Sequence, residues 1–322
     1  MQALTNVNAT AIVAADNFGT SVIDEFIASR HASENTNRTY RNALRQLVKY
    51  FAANGITQPA ESDIDSFVNT LKAQKKSAAT LRLYTTVTKA FFAFTARKGF
   101  YPDVAADVTL KLRKSNTHAK RALTDAQAKA LMASVKGDNL QARRDRAIIA
   151  LALVTGVRTV EISRANRGNL REDGYGGGYF DVQGKGHIQA DQTVKIPPAV
   201  MKLIDEYLSL RGEVEDSEPL FTSASRNANW DKNRYGNRLS EQSVGKLIKR
   251  QMKSVGIDDK KITAHSCRHF AATTAIKSGV DIREISAMLR HASLNVTMIY
   301  LHDLAVENRR AELCVADSLF TA

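Results

Sequence analysis

The run from His265 to His302, HSCRHFAATTAIKSGVDIREISAMLRHASLNVTMIYLH, sets histidines, an arginine and a tyrosine among apolar residues that recur at helical spacing. Helix start and stop signals cut it into three short helices. Thr263 reads as the N-cap of the first and Gly279 as its C′ residue. Asp281 opens a second with Ile282, Ile285, Met288 and Leu289 on one stripe. Ser293 caps a third that carries Leu294, Thr297, Met298 and Leu301 with Tyr300. His265 and Arg268, at i and i+3, share a helix face. On one straight helix His291 and Tyr300 would lie about half a turn out of phase. A break at Ser293 is therefore required if the two share a site.

These residue types together point to phosphodiester chemistry. Arginine presents a planar fork of donors that stays charged and matches phosphate oxygens, and histidine donates to them or takes a proton near neutral pH. A phenol with a pKa of about 10 becomes a nucleophile once neighbouring bases and cations remove its proton and stabilise the anion. The constellation suggests attack of a phenolate on a phosphodiester.

On His265-Ser266-Cys267-Arg268-His269, the Gly-bounded helix, Leu289-Arg290-His291 and a tyrosine nine residues later, the chain resembles the tyrosine recombinases, the phage-integrase family that includes Cre and the Xer proteins. The resemblance implies an upstream arginine after a helix ending in Thr-Gly, then a lysine in a hairpin. Thr155-Gly156-Val157-Arg158 followed by Glu161 matches the first, and Gly184-Lys185-Gly186 the second. Two positions depart from the family pattern: Arg290 stands where glycine is common, and Cys267 where leucine is usual.

The rest of the chain reads as two domains. Residues 1–18 are polar and small, a flexible arm. Residues 19–102 hold four amphipathic stripes: Val22 to Ile27; Tyr40, Leu44, Leu47, Val48 and Phe51; Ile64, Phe67, Val68 and Leu71; Leu81, Tyr84, Thr88, Phe91 and Phe92. Their polar faces carry Arg38, Arg41, Arg45, Lys49, Lys72, Lys75, Lys76, Arg82 and Lys89, each by itself readable as an ordinary solvated charge. Residues 103–122 lose periodicity and form a basic linker that would let two DNA-facing domains close on a duplex. The second domain, 123–322, opens with a Thr124/Gln127 capping box. A buried helix from Asp145 to Thr155 follows, then strands at Tyr179–Val182 and Thr193–Ile196. A loop-rich stretch runs between Arg211 and Leu239, and Val244, Leu247, Ile248, Met252 and Val255 mark a strong amphipathic helix. The fold class is mainly α with a small β-sheet in the C-terminal domain.

A formal net charge of +13 favours a polyanionic partner without choosing among DNA, RNA and acidic membranes. Two cysteines without a spacing pattern, Cys267 and Cys314, argue for a reducing compartment. No charged-then-apolar leader opens the chain, and the longest apolar run, Ala147 to Val154, falls short of the roughly 20 residues of a membrane helix. The expected location is the cytoplasm, in association with the nucleoid.

The resemblance implies a helical core-binding domain ahead of a catalytic domain, and a site-specific recombinase acting on double-stranded DNA. Tyr300 would form a 3′-phosphotyrosyl link, Arg158 and Arg268 hold the non-bridging oxygens, and Lys185 protonate the leaving 5′-oxygen. His265 would accept a proton or donate to the phosphate, His291 would donate, and Glu161 would orient a neighbour. No cofactor or metal is implied. Strand exchange would proceed through a Holliday junction in a homotetramer, with Leu304, Val306, Leu313, Val315 and Leu319 in a tail docking on the next subunit. Three rivals stand beside this reading: a tyrosine-type topoisomerase acting as a monomer, a non-catalytic DNA-binding protein, and a metal site from His265, Cys267 and His269.

Overall fold

The computed structural model describes residues 21–110, 121–184, 189–223, 237–307 and 318. The expected arm at 1–18, Lys185, part of the basic linker and most of the tail lie outside the described residues. The chain divides into two compact units, Met1–Lys114 and Ser115–Ala322.

In the first unit the elements are α1 (Ser21–Ala28), α2 (Glu34–Ala53), α3 (Glu61–Ala73) and α4 (Ala78–Arg97). Ser33 and Ser77 cap α2 and α4 by accepting from the backbone N of Thr36 and Thr80, satisfying donors that the first turn leaves unpaired. The buried face is aromatic. Phe26, Phe67, Phe91, Phe92 and Phe94 are almost fully enclosed, with Phe26 edge-on to Phe91 at 5.5 Å. Several of the basic residues expected on the outer face are engaged locally: Lys89 donates to the Val108 carbonyl, Arg41 pairs with Asp24, and Arg38 and Lys72 donate to Asn35 and Asn69.

The second unit is built around one helix. It comprises α5 (Asp125–Ala133), α6 (Leu140–Thr155), α7 (Thr159–Arg164), β1 (Leu170–Glu172), β2 (Gly178–Val182), β3 (Gln192–Ile196), α8 (Pro198–Arg211), α9 (Glu241–Ser254), α10 (His265–Lys277), α11 (Ile282–Leu289) and α12 (Leu294–Glu307). Every residue from Ala147 to Leu153 is buried, so α6 is apolar all round and packs against α8, α9, α10 and β3 at once. It begins at Leu140, capped by Asn139, and not at Asp145 as the apolar pattern suggests. The early turn hides its polar residues: Arg144 and Asp145 are buried as an ion pair, Arg144 also donates to the Thr222 carbonyl, and Arg250 from α9 reaches Asp145.

The sheet is an antiparallel meander in the order β1-β2-β3, with Phe180 opposite both Leu170 and Val194. Leu170, Phe180, Val182, Val194 and Ile196 face the core. Strand β1 has three residues, too few to show an alternation in sequence.

α10, α11 and α12 form a separate apex, joined by Gly279 at φ +79° and by Arg290 at φ +54°. Its own small core is Ala272, Ile285, Leu289 and Tyr300.

Phe91 is fully enclosed at the centre of the helical unit. Phe91→Ala is expected to destabilise that unit by about 3–5 kcal/mol, read as a lowered urea midpoint.

Candidate active site

Helix α6 stops at Gly156, whose φ of +63° turns the chain so that Arg158 becomes the N-terminal cap residue of α7. Glu161, one turn on, accepts from both ends of that arginine: Oε2 from its backbone N at 2.7 Å and Oε1 from Nη1 at 2.7 Å. This is not a surface ion pair. The Glu161 side chain is wholly enclosed, whereas Arg158 keeps 27% of its side chain exposed. Glu161 Oε2 also takes Nη2 of Arg290 at 2.7 Å. Burial pushes the Glu161 carboxyl upward, but Arg290 and Arg158 together outweigh it and hold the group below the ordinary glutamate value.

Arg268 lies in the first turn of α10 and is 2% exposed. Its Nη1 donates to the Gly156 carbonyl at 2.7 Å and its Nη2 to the Leu289 carbonyl. Those carbonyls close α6 and α11, so the cation sits against two helix C-termini, where the backbone dipole is negative. Burial first, then Arg158 and Arg290, push the guanidinium down to about 9, while Glu161 and Tyr300 act in the opposite sense. It remains a cation at neutral pH. Arg158 Nη2 in turn donates to the Arg290 carbonyl at 3.4 Å, so one turn, Leu289–Arg290, accepts from both arginines.

Tyr300 projects from α12 into the apex core and is 2% exposed. His291 lies parallel to its ring, with centroids 6.2 Å apart and planes within 4°. His269 stands edge-on to Tyr300 at 5.1 Å, and His265 edge-on to His269 at 4.8 Å. His291 Nδ1 is 2.8 Å from Oγ1 of Thr297, which is fully buried one turn before Tyr300. The break between α11 and α12, where Ser293 Oγ accepts from Asn295 N, allows His291 and Tyr300 to meet.

Arg158, Arg268, His291 and Tyr300 are thus drawn to one place, with the exposed His265 reaching Tyr300 through His269. Lys185 lies outside the described residues. Sequence reasoning left two neighbours out of the reacting set. His269 is i+4 from His265 and so on the same helix face, which was a usable signal. Arg290 was noticed only as a departure, and nothing in the sequence places its side chain on Glu161.

One local expectation changes. Thr263 does not cap α10 with its side chain; Ser266 Oγ accepts from Thr263 N instead. Of the residues read on α12, Thr297 and Tyr300 face inward, while Leu294 and Met298 are nearly half exposed. Cys267 is enclosed in the core, and burial pushes its thiol up to about 12.

The arrangement brings three guanidinium groups around one carboxylate, beside a phenol lined by imidazoles. Such a surplus of oriented donors suits an anion whose charge grows during reaction.

The profile described as "Phage integrase family" matches residues 121–307, and "Phage integrase, N-terminal SAM-like domain" matches residues 23–99. The chain is 30% identical over 282 residues to tyrosine recombinase XerA of Pyrococcus furiosus, covering 87% of this chain and 88% of that protein. In fold it is similar to XerH site-specific recombinase bound to a palindromic difH substrate in a post-cleavage complex, with TM-score 0.69 and 20% identity over 92% of this chain and 84% of that one. It is likewise similar to a lambda integrase tetramer bound to a Holliday junction, with TM-score 0.63 and 18% identity over 87% and 76% of the two chains.

Two outcomes follow from the arginine–carboxylate geometry. A Cβ on Gly156 would stand 2.8 Å from Leu289 Cδ2 at a positive φ. Gly156→Ala should therefore cost about 1–3 kcal/mol in thermal or urea unfolding. Because the folded pKa of Glu161 is depressed, its contribution is complete above the ordinary value of about 4.3 and is lost as pH falls through the folded value. Urea midpoints measured from pH 6 to pH 3 should drop more steeply in the wild type than in Glu161→Gln.

Proposed function

This chain belongs to the phage integrase family, and on that premise we propose that it is a site-specific recombinase which cuts and rejoins double-stranded DNA through Tyr300. The observation that carries the reading is the meeting of Tyr300 with His291 and His269 beside the cation of Arg268. The phenolate attacks the scissile phosphorus, forms a 3′-phosphotyrosyl bond and expels the 5′-oxygen. Arg158 and Arg268 hold the non-bridging oxygens. Their donors matter most as the phosphorus becomes five-coordinate and its oxygens gain charge.

Lys185 protonates the leaving 5′-oxygen, and His265, relayed through His269, receives the phenolic proton. His291, oriented by Thr297, donates to the phosphate. Because the covalent bond conserves the energy of the phosphodiester, a 5′-hydroxyl of another strand reverses the step without ATP. Exchange of two strand pairs requires a homotetramer on two duplexes and passes through a Holliday junction, with residues 301–322 docking on the next subunit. The helical stretch 19–102 acts as the core-binding domain. Along with the basic linker 103–122, it supplies phosphate contacts whose affinity falls with salt. The working location is the nucleoid. No helix among the described residues is long and apolar enough to cross a membrane.

Tyr300 is enclosed by Ala272, Ile285 and Leu289, so engagement of a phosphate requires α12 to shift on the apex core.

The test is covalent capture. A nicked duplex recovered from a random-sequence library by wild-type protein should give a denaturant-resistant adduct. Tyr300→Phe should give none while binding the same duplex within about threefold, because only one hydroxyl is removed. Arg268→Ala should slow adduct formation by about 100-fold or more at saturating DNA. Adduct formation by Tyr300→Phe would move the nucleophile elsewhere.

A further inference from the structure

Arg290 occupies a position that glycine fills without steric conflict. With φ +54° and ψ +50°, it closes α11 in the left-handed region, where a Cβ is disfavoured. An arginine at a helix end ordinarily extends into water. Here the side chain folds inward and keeps 4% of its surface exposed. Nη2 meets Glu161 Oε2 at 2.7 Å, Nη1 donates to the Met288 carbonyl at 2.7 Å, and Nε is buried with no hydrogen-bond partner in the structure. A strained backbone and an unpaired buried N–H are both unfavourable, so a mere turn residue does not account for them.

What the side chain accomplishes is read on Glu161. That carboxylate has two edges: one oxygen serves Arg158 Nη1, and the other serves Arg290 and the Arg158 backbone N. With both oxygens held, the carboxylate is a rigid seat for the Arg158 fork. The charge count changes as well. Arg158 and Glu161 by themselves cancel, and Arg268 would leave one positive charge. Arg290 raises the surplus to two. A phosphodiester carries one negative charge, and attack by a phenolate makes it a five-coordinate species with two. The turn also supplies the Leu289 and Arg290 carbonyls that accept from Arg268 and Arg158.

We infer that Arg290 is a positioning residue for strand cleavage, locking Glu161 so that Arg158 is aimed and supplying the second surplus charge that matches the doubly negative transition state. The inference rests on the reading of Arg158 and Arg268 as the phosphate-holding arginines. It assigns to Arg290 a role in the rate of the chemical step, not in DNA affinity.

The experiment compares wild type, Arg290→Gly, Arg290→Lys, Arg290→Met and Arg158→Ala on the library-derived nicked duplex. Single-turnover adduct formation at saturating DNA is measured from pH 5 to pH 9, with the Kd of the uncleaved duplex and the melting temperature of each protein. Arg290→Gly should cleave about 10- to 100-fold more slowly with Kd changed less than about threefold, as expected when transition-state stabilisation is lost and binding is kept. Its acid limb should move to higher pH. The groups facing Glu161 are Arg158 from its own helix, Arg268 from α10 and Arg290 from the end of α11, and only the last is removed. Arg290→Lys, which keeps a cation near the carboxylate, should recover part of the rate and restore the acid limb.

Wild-type rate and acid limb in Arg290→Gly would reduce Arg290 to a turn residue. Equal slowing in Arg290→Lys and Arg290→Met, with the acid limb unmoved, would do the same, and this pair decides the matter if Arg290→Gly fails to fold. Loss of the underlying reading looks different: either wild-type protein captures no duplex, or Arg158→Ala cleaves as fast as wild type.

Discussion

A single buried cation organises the catalytic unit. Arg268 is taken out of water and made to bridge the ends of α6 and α11 through the Gly156 and Leu289 carbonyls. An arginine charge is tolerated there because helix C-termini present negative dipole ends and because both terminal nitrogens donate to those carbonyls. The demand propagates outward. Gly156 must adopt the left-handed conformation to turn its carbonyl inward, and its Cα must lie flush with Leu289 and Ala271, leaving no room for a side chain. The all-apolar α6 is the rigid post that fixes one of these ends. The apex of α10, α11 and α12 is the smaller body that fixes the other.

Around that cation the local charge is unbalanced. Glu161 is the carboxylate shared by Arg158 and Arg290; beyond burial, Arg158 and Arg290 lower the basicity of Arg268, and Arg158 lowers that of Arg290. In a folded protein such a surplus is unfavourable on its own account and becomes favourable once an anion enters. The same surplus that weakens the isolated fold therefore prepares it for a phosphate. Burial strengthens the effect, since charges in a water-poor site act over distance with less screening.

Tyr300 belongs to the apex core as well as to the site. Its ring is packed with Ala272, Ile285 and Leu289 and bordered by His269 and His291. One side chain thus couples the packing of a three-helix apex to the position of the candidate phenol. Leu294, Val296 and Met298 on the outer surface of α12 are nearly half exposed, and among the described side chains of that helix Thr297 and Tyr300 face inward.

The sequence by itself determined the helical frame and pointed to most of the residues that meet at the candidate site, because these depend on local chemistry. Caps at Thr124 and Asp281, breaks at Gly156 and Gly279, and the apolar stripes of the first unit all follow from residue type and spacing. The interruption at Ser293 was legible for the same reason, and with it the meeting of His291 and Tyr300. Tertiary structure decided which polar residues go inside. Arg144 and Asp145 entered the core because α9 and the Thr222 carbonyl supplied partners from distant segments, so the true start of α6 was invisible in hydropathy. Leu294, Val296 and Met298 of α12 stayed exposed, although their residue type by itself points inward. Arg290 turned inward because Glu161, 129 residues away in the chain, stands within hydrogen-bond reach. Spacing reports only on neighbours within a helix or strand, while the burial of a charge depends on partners that folding brings from elsewhere.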